Sequence, residues 1–215
     1  MELYKSKFTV NESPVYVSDY MSGKMEGIPS ISTSCLDNPI CQARMRDGDS
    51  VCAKCFAAET LARYDKCHEH CLDNLHLLMS AVLDKGLLPR FANVCGVRIE
   101  SFGDVGNVTH AINYANIAYE NPRQTFAWWT KNANIVGAAF DIVGKPSNVI
   151  LIESSEKLNE EKKPSNKYVD KVFTVYEKAY IIEHGLDINC GGRKCLSCWR
   201  CYQKDTENRI HEQLK

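Results

Sequence analysis

The chain reads as an α/β protein, a partial (β/α) barrel or an open parallel sheet of about five strands, with Cys-rich metal-binding loops near both ends. Short runs rich in β-branched and aromatic residues alternate with helix-length segments between residues 28 and 188, the pattern of parallel βαβ units. Five such runs are too few for the eight strands of a closed barrel. Eight of the eleven cysteines fall into two groups of four: Cys35, Cys41, Cys52 and Cys55, then Cys190, Cys195, Cys198 and Cys201. Four thiolates are the donor set of one tetrahedral metal or one iron-sulfur cluster.

Residues 1–27 form a β-rich extension with strand-like pieces at 7–10 and 15–17. The α/β core spans 28–188, and its first strand, 28–34, runs directly into Cys35. A long helix is expected from Asp49 and Ser50 to Val82. Phe56, Thr60, Tyr64, Cys67, Cys71, Leu75, Leu78 and Val82 recur at three and four, and Gly86 and Pro89 follow as stops. Cys67 and Cys71 read as a buried thiol stripe, with His68 and His70 exposed between them. Strand 97–102, helix 108–119, strand 125–130 and helix 135–143 come next, the last stopped by Gly144. Strands at 149–153 and 172–176 complete the set, separated by a polar loop at 157–167. A helical piece at 180–184 is capped by Gly185. Residues 189–215 make a Cys-rich metal-binding segment and a polar tail with a helical turn or two.

Lys plus Arg number 26 against 27 Asp plus Glu, so no strong field selects nucleic acid or an acidic membrane as partner. No apolar run has signal-peptide or membrane-span length, which implies a cytoplasmic protein. In a reducing compartment, dense cysteine at ligand spacing reads as metal binding; a disulfide scaffold is the competing explanation.

The second group, C-x4-C-x2-C-x2-C, lets one loop wrap a single centre, with Gly191-Gly192 supplying backbone freedom. Closely spaced runs are ferredoxin-like, whereas zinc knuckles come as separated pairs. One or two [4Fe-4S] clusters are therefore expected, with zinc as the alternative. The first group, C-x5-C-x10-C-x2-C, lies at the carboxyl edge of a strand, where α/β folds bind ligands. Cys41, Cys52 and Cys55 are the favoured three of an open cluster, and Cys35 can replace Cys41. All four closing together would make a zinc knuckle. Polar residues recur after each strand: Glu100, Ser101, Gly103 and Asp104, then Trp128 and Lys131, then Glu153 and Ser154. Together they describe one composite pocket for a small molecule, with Glu100 and Asp104 suited to an ammonium group and Lys131 to a carboxylate or phosphate. Of the two tryptophans, alternation sends one inward and the other to the helical layer. The bland reading of Asp104 is a cap for the following helix. No phosphate-binding Gly-rich loop and no nucleophile elbow appears.

The stretches SISTSCLDNPICQARMRDGDSVCAKCFA, RIESFGDVGNVTHAINYANIA, TFAWWTKN, KVFTVYEK and INCGGRKCLSCWRCY resemble the phage gene product 88 family over nearly all of the chain after about residue 25. That resemblance implies a bacteriophage or prophage origin and a location in the host cytoplasm. More distantly, the order of parts is similar to radical S-adenosylmethionine enzymes, in which a cluster loop follows the first strand of a partial barrel and a turn after the second strand holds the methionine amine. This likeness implies Cys41, Cys52 and Cys55 as cluster ligands followed by Phe56, the turn from Ser101 to Asp104 as the amine site, S-adenosylmethionine as a cofactor, and the C-terminal four as an auxiliary cluster. Ten residues separate Cys41 from Cys52, and the turn reads Gly-Asp, both departures from that pattern. The alternative is a non-catalytic module, pinned by zinc or a cluster, that engages a host protein or nucleic acid; Arg193, Lys194 and Arg200 with Trp199 would then contact phosphate and stack on bases.

Overall fold

In the computed structural model, which describes residues 1–204 and 207–214, six parallel strands form one sheet in sequential order. They are β1 (Ser30–Ile31), β2 (Gly96–Ile99), β3 (Thr125–Thr130), β4 (Val149–Ser154), β5 (Lys171–Tyr176) and β6 (Arg209–Gln213). β1 and β6 are the two edges, so the sheet is open. The α/β class and parallel pairing follow the sequence reading, with one strand more than the five expected. The extra strand is β6, which falls in the tail read as helical. Only Ile210 is buried in β6, so no apolar alternation marks it; the ladder to β5, with Ile210 opposite Phe173, makes it a strand.

Helices α1 (Pro39–Arg46), α2 (Phe56–Arg63) and α3 (Asp65–Ser80) lie between β1 and β2. α4 (Val108–Tyr119) and α5 (Ala133–Val143) make the next two crossovers, and α6 (Lys178–His184) and the single turn α7 (Cys195–Cys198) lie between β5 and β6. α1 starts with Pro39 in its first turn, where a missing N–H costs nothing, and the Asn38 side chain accepts from Ile40 N at 3.0 Å. The long helix expected over 49–82 is in fact three pieces: a 3-10 turn (Val51–Lys54), α2 and α3, with Tyr64 extended between the last two. Burial explains the break. Ala57 and Leu61 face the core from α2, and Cys71, Leu75 and Leu78 from α3. In one continuous helix, Leu61 and Cys71 would sit about 80° apart. Phe56, Tyr64 and Val82, placed on the stripe by sequence, are exposed. The expected N-terminal strands reduce to single bridges, Tyr4 to Ser13, Thr9 to Phe91 and Ser18 to Ser30.

Alternation along the strands gives the sheet two distinct faces. Val97, Ile99, Phe126, Trp128, Val149 and Leu151 point to the helical layer and pack against α3, α4 and α5 in the main core. Ala127, Ile150 and Ile152 point the other way, into a smaller core with Trp129, Phe173, Trp199, Tyr202 and Ile210. The Cys-rich segment covers that second face: a Cβ at Gly96 would meet Trp199 Cη2 at 2.7 Å and Tyr202 Cδ1 at 2.8 Å.

Candidate thiol centres

The first cysteine group assembles where β1 ends. Cys35 is buried and packs with Cys41, Cys55, Cys67, Cys71, Leu61 and Phe102 in a small cluster of its own. The thiols contact one another in pairs. Cys35 and Cys55 pack in the same cluster, and the neighbouring Cys35 thiol, with amides of Ala57 and Ala58 at the start of α2, holds Cys55 below the ordinary thiol range while Cys35 is pushed up. Cys67 and Cys71, one turn apart on α3, form a second pair, in which the Cys71 thiol holds Cys67 low. Burial pushes Cys41 up, reinforced by Asp104, Glu100 and Cys52 nearby and opposed by the Lys131 ammonium, which also favours a Cys55 thiolate. Spacing points to Cys41, Cys52 and Cys55; the cluster packed at the end of β1 holds Cys35, Cys41 and Cys55. Cys67 and Cys71, read as plain stripe residues, lie beside the group.

The strand-end carboxylates turn out to be struts. Glu100 is buried and accepts from Thr33 N at 3.0 Å, Thr33 Oγ1 at 2.7 Å and Tyr114 OH at 2.8 Å, which ties β2 to the end of β1 and to α4. Its φ of 57° is in the left-handed region, a strained setting for glutamate that these bonds sustain. Burial raises its pKa to about 7, against the pull of the Thr33 and Tyr114 hydrogen bonds. Asp104 accepts from Thr130 Oγ1 at 2.6 Å, Val105 N at 2.8 Å, Lys131 N at 2.9 Å and Arg44 Nη1 at 3.4 Å. The cap of α4 is Asn107, whose side chain accepts from His110 N at 2.8 Å. Glu153 takes Ser165 through both its N–H and its hydroxyl, with Lys162 Nζ at 2.7 Å. None of the three carboxylates is open to an ammonium ligand.

Ser101 shares a 2.7 Å hydrogen bond with Ser30, and Ser154 is buried. Gly103 is where the chain passes so close to β1 that a Cβ would lie 2.5 Å from the Thr33 carbonyl oxygen. Trp128 is fully buried in the helical layer, beyond reach of a rim ligand; Trp129 is the tryptophan of the open face. Arg44, absent from the sequence-based set, bridges Asp104, the Asn132 side chain at 2.8 Å and Glu156 at 2.9 Å, and thereby holds α1 to the β3 end. A cavity of about 340 Å³ opens after β4, lined by Ser155, Glu156, Lys157, Glu160, Lys162 and Lys163 among others. Val51 N donates to Glu156 O at 2.8 Å and Ser50 bridges Lys157, so this loop adjoins the first Cys loop.

The second group lies on the open face. Cys190, Cys195 and Cys201 pack in the smaller core, and each lies within electrostatic range of Cys198. Gly192 takes φ of 70°, the left-handed turn that wrapping requires. Trp199 stacks on Tyr202 with centroids 4.6 Å apart, Lys194 pairs with Glu26 at 2.8 Å, and Arg200 approaches Glu207 at 4.0 Å. The base-stacking platform expected of Trp199 is thus taken by the protein itself.

Among the described residues, no three or more Cys, His, Asp or Glu side chains converge as a mononuclear metal site would require. The donor chemistry of both groups fits a thiophilic centre, but their pairwise spacing does not preform a single-ion site. Among the described residues no helix is long and apolar enough to cross a membrane.

Fold and site together define an open parallel α/β protein with one thiol group on the carboxyl rim and another on the sheet face opposite the main helical layer. A family model described as Gene product 88 matches residues 5–212, and the chain belongs to that family. No match is found among curated proteins or among solved structures.

Proposed function

We propose that the chain is an iron-sulfur protein of phage type, with a cluster held by the first cysteine group at the sheet rim and an auxiliary centre held by the second. The observation that carries this reading is the gathering of Cys35, Cys41 and Cys55 at the carboxyl end of β1, beside Lys131 and Asp104, where parallel sheets present ligands. A cluster supplies one-electron chemistry when bound. The chain's own part is to hold it, to exclude water with Leu36, Leu61 and Phe102, and to set the local charge through Lys131. S-adenosylmethionine is the small molecule a radical-type enzyme of this layout would take. With Glu100, Asp104 and Glu153 engaged internally, its amine would need hydroxyl or backbone partners near Ser101 or in the cavity after β4.

Anaerobic purification tests the reading. Brown protein with iron and sulfide for two clusters, about eight irons per chain, is the expected result. Colourless protein carrying zinc would replace it with the metal-pinned module, a reading that the packing of the second group as a cover on the open face favours for that group. Addition of S-adenosylmethionine should alter the electron paramagnetic resonance signal of the reduced cluster. An unchanged signal removes the radical-type enzyme and leaves the cluster protein.

A further inference from the structure

β4 and β5 are neighbouring parallel strands joined without a helix. Residues 155–170 make the crossover as a loop, and an ordered helix-free connection of that length inside a compact fold is uncommon and usually functional. Anchors on three sides hold it. Glu153 accepts from Ser165 N at 2.8 Å and pairs with Lys162 Nζ at 2.7 Å, which draws the far part of the loop back to β4. Asn159 N donates to Val175 O at 3.0 Å, and Asn159 Nδ2 donates to Glu177 at 2.9 Å. On the remaining side Val51 N donates to Glu156 O at 2.8 Å, and Ser50 bridges Lys157.

The cavity of about 340 Å³ lies within this loop, at the carboxyl end of β4. That volume falls within the range of small-molecule sites, about 300–1,000 Å³. Its wall consists of Ser155 and six charged residues, with no apolar side chain, so the chemistry it offers is polar. Three of the six charges are already matched. Arg44 takes Glu156 at 2.9 Å, Arg209 and His211 face Glu161, and Glu153 engages Lys162. Lys157, Lys163 and Glu160 form no ion pair among the described residues. Two ammonium groups against one carboxylate leave the concavity net positive, and a concave wall concentrates that field. Both lysines are also placed in advance. The bridge to Ser50 fixes the backbone of Lys157, and Lys163 stands between the anchored Lys162 and Pro164, which restricts its backbone to extended conformations. Such preorganisation lowers the cost of binding.

We propose that the 155–165 loop is a binding site for a small polar molecule bearing a phosphate or carboxylate group, with Lys157 and Lys163 receiving the anion and Glu160 opposing it. The site stands whatever the thiol groups hold, because no cysteine lines it. Lys157 bridges Ser50, whose hydroxyl accepts from Cys52 N at 3.1 Å, so the bound molecule lies beside the first cysteine loop.

The test is an amide-resolved NMR titration of the full-length reduced chain, with inorganic phosphate in one arm, succinate in the other, and sodium chloride at matched ionic strength as reference. Saturable shifts at 155–165 that chloride does not reproduce are expected, and the arm or arms that saturate assign the anion as phosphate, carboxylate or either. K157M and K163M should each raise the dissociation constant about threefold or more, the scale of one exposed ion pair, and E160Q should lower it by about the same factor. The opposite signs separate recognition by charge from damage to the loop, which would weaken binding in all three variants. Shifts reproduced by chloride, saturation in neither arm, lysine variants that bind as wild type, or E160Q that binds no tighter than wild type would each overturn the proposal. None of these outcomes bears on the metal content of the cysteine groups, which anaerobic purification decides separately.

Discussion

His110 and Glu100 show how buried titratable groups can stabilise the rim without being ligands. His110 Nδ1 accepts from Gly106 N at 3.2 Å, which fixes the proton on Nε2, and Nε2 lies 3.6 Å from Glu100 Oε1 with no hydrogen-bond partner among the described residues. Burial lowers the His110 pKa to about 3 and raises that of Glu100 to about 7. The signs oppose. A histidine depressed in the fold contributes stability that is complete above its unfolded pKa of about 6.5 and is lost as pH falls toward 3. A carboxyl raised in the fold contributes stability that is complete below its unfolded pKa and is lost as pH rises through 7. H110Q removes the first dependence and keeps the second. Urea midpoints from pH 7 to pH 4 should therefore climb for H110Q relative to wild type as the solution is acidified. A parallel course of the two curves would show that His110 is not the acid-sensitive group. Asp104 permits a simpler check. Its carboxylate gathers Thr130, Val105, Lys131 and Arg44, so D104N should cost about 2–3 kcal/mol in denaturant unfolding, the scale of breaking a charged buried network.

β2 is the element on which both thiol groups depend, because its two faces and its two ends meet different partners. Gly96, at its start, admits Trp199 and Tyr202 against the sheet, whereas Glu100 and Gly103, just past its end, lie against Thr33 after β1. G96A would force the C-terminal segment off the open face at a cost of about 1–3 kcal/mol while the helical face stays packed. Limited proteolysis checks this: cleavage at Arg193 or Lys194 should become faster in G96A, and cleavage rates equal to wild type would show that the segment is not seated through Trp199. The elements legible in the sequence are those that carry their own periodicity. Thr125–Thr130 alternates faces and Val108–Tyr119 presents a wide apolar stripe, and both have the boundaries expected of them. β1 is shorter than the 28–34 run and β6 falls in a tail expected to be helical, because ladder bonds to β2 and β5, not side-chain pattern, define them. In the site, spacing gave the two cysteine groups. It could not give Arg44, whose partners Asp104, Asn132 and Glu156 lie 60 or more residues along the chain and are brought to it by the fold. The strand-end carboxylates were legible as positions; their use as struts depends on Thr33, Tyr114 and Thr130, which no local motif marks.

At the scale of the whole molecule, two hydrophobic cores lie on opposite sides of one sheet and differ in how they are held. The main core joins β2, β3 and β4 to α3, α4 and α5 through buried Phe126 and through Tyr114, Trp128 and Phe140, also buried, which form a chain of edge-on ring contacts. The smaller core relies on Trp199, Tyr202 and the cysteines of a segment in which α7 is a single turn, followed by a 3-10 turn at Arg200–Tyr202. That segment is also the connection from β5 to β6: Cys190 N donates to His211 O at 2.9 Å, and Ile210 is the one buried residue of β6. If thiolate ligation closes the loop, it also fixes where β6 can dock. Metal removal should then have a local and ordered effect. Hydrogen exchange on protein stripped by a chelator under reducing conditions should show deprotection of 209–213 and of the amides around 190–201, with 126–130, 149–152 and 108–119 as protected as before. Deprotection spread evenly over both faces would mean that the two cores unfold as one unit, and an unchanged pattern would mean that the second thiol group closes through packing alone.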